Sequence, residues 1–237
     1  RGRAQGPQGP GGGAAVVEEG FARVGRAGIQ GMTVEADEPA SKGRFCIGTE
    51  NYQAGQIGGQ RLAKEMNGKG SVVVFTIPEQ ANLKERLRGY RDALEATPGI
   101  RITRVVDMKG DSRVAFDTAT EILGNDKKEH TDAFVCLEAL SGKEVATVLS
   151  QHDVKDKVIV AMAIDDKTLE WIQTGEIAST LSQKPYTMSF VGLTTLDDLY
   201  HRTLSRPPKH RPQARLPPPT SFLDTGSALA DKMTLSA

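Results

Sequence analysis

The chain has 237 residues, with 30 Lys and Arg against 30 Asp and Glu, and 38% of it is hydrophobic. That is enough for one large or two small domains with a real core, and a net charge of zero leaves no bulk basicity to hold a nucleic acid. No apolar run reaches the roughly 18–20 residues that cross a bilayer, and the opening RGRAQGPQGPGGG has no apolar leader core.

Residues 1–13 are Gly/Pro-rich, too short in their GPQGP for a collagen helix, and read as disordered. From Glu50 onward the chain alternates. NYQAGQIGGQRLAKEMNG (51–68) predicts a helix with Ile57, Leu62 and Met66 on one face. SVVVFTI (71–77) is a β-branched apolar run, the mark of a strand covered on both faces. Residues 82–96 predict an amphipathic helix with Leu83, Leu87, Tyr90 and Leu94 inward. There follow a strand at 100–108, a helix at 112–125, a strand at 133–137 and a helix at 141–152. A strand at 157–164, a helix at 166–175, a short strand at 177–183 and a helix at 185–202 with Pro185 in its first turn complete the alternation. Residues 203–220 form a Pro-rich basic linker, extended by composition, and 221–233 read as one last strand and turn.

Strands alternating with helices of this length specify βαβ units, and right-handed crossovers make them a doubly wound parallel sheet in an α/β fold. Ligands of such sheets bind beyond the carboxyl ends of the strands. The apolar run Ala133–Leu137 ends there on an acid, Glu138, placed to accept hydrogen bonds without burying an unpaired charge.

Other chemistry is thin. Cys46 and Cys136 each sit in an apolar run and read as buried free thiols; no CxxC exists, and His130, His152, His201 and His210 are scattered, so no metal site is expected. Gly55, Gly58 and Gly59 lie inside a helix, where they allow close packing and make no nucleotide fingerprint. NGKGS (67–71) precedes a strand, the wrong order for a P-loop. Trp171 shares a helix face with Leu169 and Ile172 and reads as packing. No Ser/His/Asp triad or paired catalytic carboxylates stand at a workable spacing, so no enzyme and no cofactor are expected.

The stretches GMTVEADEPASKGRFCIGTENYQAGQIGGQRLA, ERLRGYRDAL, AFVCLEALSG, IASTLSQKP and SFLDTG, in this order over roughly 200 residues, resemble the periplasmic sugar-binding proteins of the ribose-binding type. These are solute receptors of ABC importers that share their fold with LacI-type repressor cores. The resemblance implies two α/β lobes joined by crossing strands, with the sugar clamped between them, and an N-terminal lobe that is incomplete here. On this reading 14–49 is the remnant of that lobe, 50–183 the C-terminal lobe, 184–220 a returning helix and linker, and 221–237 the final crossing. The first strand–helix units, which in the family carry stacking aromatics and an asparagine, have no counterpart.

The resemblance also implies site residues. Arg86 matches the family arginine that reaches sugar hydroxyls, Glu138 stands where the family has an asparagine, and Gln183 matches a glutamine beside a crossing. Glu35 and Asp37 lie where an acid ends a strand of the N-terminal lobe. After the strand KVIVAMAI the family aspartate aligns with Ala163, and Asp165 is the nearest substitute; it is equally placed to cap the helix that follows. Glu138 has the same second reading. The implied function is a solute receptor for a monosaccharide or similar polyol, periplasmic or extracytoplasmic, monomeric, with a membrane permease as partner. The ligand-sensing core of a LacI-type regulator is the alternative.

Overall fold

The computed structural model describes residues 13–29, 31–35, 45–125, 130–201, 221–224 and 228–231. Residues 1–12 and the linker 203–220, read above as disordered and extended, lie outside the described residues, as does Asp37. The chain divides into two compact units, Arg1–Thr49 with Lys184–Thr225, and Glu50–Gln183 with Gly226–Ala237.

In the second unit the elements run α2 (Asn51–Glu65), β3 (Gly70–Thr76), α3 (Ala81–Glu95), β4 (Ile100–Asp107), α4 (Ser112–Asn125), β5 (Ala133–Cys136), α5 (Ser141–Gln151), β6 (Val158–Ala161), α6 (Asp166–Thr174) and β7 (Ser179–Ser182). With β9 (Ala228–Asp231) they build one six-stranded sheet in the order β4-β3-β5-β6-β7-β9. The first five strands are parallel, and β9 closes the edge antiparallel to β7. This is the doubly wound parallel sheet that the alternation predicts.

Two-residue periodicity sorts the strand side chains into two cores. Val73 and Phe75 join Phe134, Val145, Leu149 and Ile172 beneath α4, α5 and α6. Val72 and Val74 join Leu62, Leu83, Leu87, Tyr90 and Val135 beneath α2 and α3. The uninterrupted apolar runs of β3, β5 and β6 follow from this, since both faces are covered. Trp171 packs against the first of these cores. Helices α2 and α3 meet backbone to backbone: a Cβ on Gly55 would lie 2.1 Å from the Arg86 carbonyl oxygen, and one on Gly89 would lie 2.1 Å from that of Tyr52.

The first unit holds α1 (Gly13–Arg26), β1 (Thr33–Val34), β2 (Phe45–Gly48), α7 (Pro185–His201) and β8 (Ser221–Asp224). Its strands form a parallel sheet in the order β1-β2-β8. Phe45, Ile47 and Met188 make its buried cluster, with Met32, Val191 and Leu196 packed against it. On the other side of α7, Tyr186 and Phe190 stack at 6.2 Å and, with Leu193, are 81%, 60% and 65% exposed.

Two elements differ from the sequence reading. Helix α1 was not anticipated, because Gly20 and Gly25 interrupt GAAVVEEGFARVGR and dilute its helical signal. The tail read as a single strand and turn contains two strands, β8 pairing with β2 and β9 with β7.

Candidate ligand-binding site at the strand ends

Four of the six sequence-derived candidates belong to the second unit: Arg86 in α3, Glu138 after β5, Asp165 after β6 and Gln183 after β7. Each is held by a specific local device.

Glu138 follows β5 by two residues and serves α5. Its carboxylate accepts from the Leu140 N–H at 2.6 Å, the Ser141 N–H at 3.0 Å and the Ser141 hydroxyl. Leu140, at the N-cap position, offers no side-chain oxygen, so Glu138 satisfies the orphan donors from two positions upstream and complements the positive end of the helix. The capping alternative therefore describes what the side chain does in this structure. A carboxylate has about four lone-pair sites, so the role leaves acceptor capacity for a hydroxyl. Burial pushes the thiol of neighbouring Cys136 up to about 12 even though Ser141 hydrogen-bonds it, which keeps it protonated and removes it as a nucleophile.

Arg86 is not a solvated helix arginine. It is only 2% exposed. Its Nε and Nη2 donate to the Asn51 side-chain oxygen at 3.1 and 2.5 Å, and Nη1 donates to the Leu137 carbonyl, the residue before Glu138. One guanidinium thus ties α2, α3 and the end of β5 together. Nearby on the chain, Thr76 Oγ1, at the end of β3, and Asn82 Oδ1, in the first turn of α3, are buried polar atoms with no hydrogen-bond partner among the described residues.

Asp165 is the N-cap of α6, accepting from the Thr168 N–H at 3.2 Å and the Thr168 hydroxyl at 2.8 Å. Burial disfavours its charged form, but the Thr168 hydrogen bonds and the Lys143 ammonium outweigh that and hold the carboxyl below its ordinary range. The aligned position, Ala163, is closed: its N–H donates to the Thr180 hydroxyl at 2.9 Å, and its carbonyl accepts from that hydroxyl at 2.7 Å. Gln183 is half-buried just beyond β7.

Glu35 belongs to the first unit. It follows β1 with a left-handed φ of 70° and donates its N–H to the Ile47 carbonyl at 2.7 Å. A non-glycine residue there is uncommon and often marks a functional position. Sequence reasoning passed over Asn51, because an asparagine at a helix start is usually read as a cap. Here Glu50 is the cap, accepting from the Gln53 N–H. Two surface hollows of the second unit, ≈ 460 and ≈ 320 Å³, flank the edge strand β4 and include none of the candidate residues. Among the described residues no group of three His, Cys, Asp or Glu is placed to hold a metal.

The family model of the periplasmic binding protein domain matches residues 12–201. The chain belongs to this family. Among solved structures, this periplasmic binding protein domain is similar to an ABC transporter solute-binding protein from Burkholderia graminis in complex with D-arabinose. That match has a TM-score of 0.79 and 23% identity, covering 94% of this chain and 74% of that one. It is also similar to AraP, an arabinose-binding protein from Geobacillus stearothermophilus, with a TM-score of 0.75 and 25% identity over 94% of this chain and 82% of that one. A sugar-binding protein of a sugar ABC transporter from Bacillus halodurans gives a TM-score of 0.76 and 26% identity over 94% and 83%. No curated protein matches by sequence.

Proposed function

We propose that this chain is a solute receptor that binds a monosaccharide or similar polyol and delivers it to an ABC-type permease outside the cytoplasm. It acts by hydrogen bonding, with no covalent step. The observation that carries the reading is Arg86. A buried guanidinium is held at the carboxyl ends of a parallel sheet beside Glu138, in a family whose solved relatives include arabinose-binding and glucose-galactose-binding proteins. Arg86 brings a fixed positive charge to the strand ends, and Glu138, Asp165 and Gln183 bring acceptors, groups that suit ligand hydroxyls. Glu35 and Asp37 keep the acceptor role that the family pattern gives them in the sequence. The buried Thr76 and Asn82 side-chain oxygens, which have no partner among the described residues, support the same reading, since buried polar atoms normally find one.

The test is a thermal-shift and calorimetric panel of pentoses, hexoses and polyols. A sugar at about 100 times its Kd adds about 2.7 kcal/mol to a two-state unit. Arg86→Lys and Glu138→Gln are expected to reduce that shift. Absence of a shift with every sugar in the folded parent would defeat the proposal.

A further inference from the structure

We propose that Asn51 is a positioning residue of this site. It fixes the Arg86 guanidinium and, through the Leu137 carbonyl, the turn that carries Glu138. The affinity part of this inference rests on the sugar-binding reading above; the positioning part does not.

Asn51 opens α2 and is buried, yet it does not cap the helix, because Glu50 already accepts the Gln53 N–H. Its side-chain oxygen is instead spent on Arg86. The orientation of the amide follows from chemistry: a guanidinium has only donors, so the oxygen must face it. Nε and Nη2 converge on that one oxygen, which sets the plane of the fork and leaves Nη1 directed at the Leu137 carbonyl. The next residue, Glu138, then holds the Leu140 and Ser141 amides.

The reach from α2 to α3 is set by glycine. A Cβ on Gly55, one turn along from Asn51, would lie 2.1 Å from the Arg86 carbonyl oxygen, so any larger residue would part the helices and withdraw Asn51 from the guanidinium. The choice of amide over acid also has a consequence. Aspartate at 51 would bind the same two donors and add a negative charge of its own, whereas asparagine orients Arg86 without one.

The experiment uses the full chain with Asn51→Leu and Asn51→Asp. It reads amide hydrogen exchange at Leu140 and Ser141 against Val135 in the same unit, and calorimetric affinity for D-arabinose and D-galactose. Asn51→Leu is expected to speed exchange at Leu140 and Ser141 by about tenfold or more, with Val135 little changed, and to weaken sugar binding by a similar factor. That is the size expected for losing a hydrogen bond to a charged group. Asn51→Asp, which restores the acceptor, is expected to recover the exchange pattern. Equal acceleration at all three amides, or no recovery with aspartate, overturns the proposal. If the exchange results hold and neither the parent nor any variant binds a sugar, the positioning role stands and the sugar-binding reading falls. Should Asn51→Leu fail to fold, Asn51→Ser, whose oxygen stops short of the guanidinium, gives the same comparison.

Discussion

The two units are built from the same parts, parallel strands and packed helices, and differ in how much each encloses. In the second unit both faces of a six-stranded sheet carry buried clusters under five helices. Among the described residues of the first, the buried cluster is Phe45, Ile47 and Met188, and Tyr186, Phe190 and Leu193 of α7 are exposed. A βα unit gains stability only from the surface it removes from water, so layers covered, not helices formed, set how firmly each unit holds. Four of the six candidate residues lie in the second unit, where Arg86, Glu138 and Asp165 are held by hydrogen bonds to neighbouring elements.

The sharpest way to break this contrast is to hollow the second unit. Phe75→Ala is expected to cost about 3–5 kcal/mol, because Phe75 is fully buried between β3 neighbours and α4 and α5. Denaturant unfolding followed in that unit would show it, and a loss below about 1 kcal/mol would mean its core is looser than its packing implies.

A paired comparison of glycines comes next. Gly89→Ala puts a methyl against the Tyr52 backbone and is expected to cost about 3 kcal/mol. Gly192→Ala in α7 crowds the flexible end of Met32 and otherwise makes an ordinary contact with Ile47, so it is expected to be near neutral, since alanine favours the helix and methionine yields. Thermal melts of the two variants should separate clearly; equal shifts would erase the distinction between backbone and side-chain contact.

Smaller still is the helix cap. Asp165→Ala is expected to destabilise α6 by about 1 kcal/mol. Because the folded carboxyl titrates below its ordinary range, its contribution is present above the unfolded value near pH 4 and is lost as pH falls through the lower, folded value. The gap between parent and variant should therefore stay constant above about pH 5 and close in acid, which urea melts at several pH values would follow. The smallest effect is at the exposed stripe of the first unit: Phe190→Ser should change stability by less than about 0.5 kcal/mol, and a larger loss would mean that this face is covered in solution.

Much of the second unit was legible because its signals are strong. Val72–Phe75 and Ala133–Cys136 are apolar without interruption, and only a strand covered on both sides needs that. Weak signals failed where local preference and final state diverged, as in α1 with its two glycines. At the strand ends, the positions of polar residues were legible and their hydrogen-bond partners were not. Glu138 and Asp165 each fit a cap or a ligand acceptor, and the choice depends on where the next helix's amides point. Asn51 was overlooked because its partner lies 35 residues away on another helix.

The order of βα units, the doubly wound sheet and the presence of polar residues at the strand ends were determined by sequence alone, since periodicity and burial pattern are local properties of the chain. Only the tertiary structure decided that Arg86 is buried, that Asn51 orients it and that Glu138 caps α5. Those outcomes depend on distances between α2, α3 and β5, which packing sets and no stretch of sequence contains.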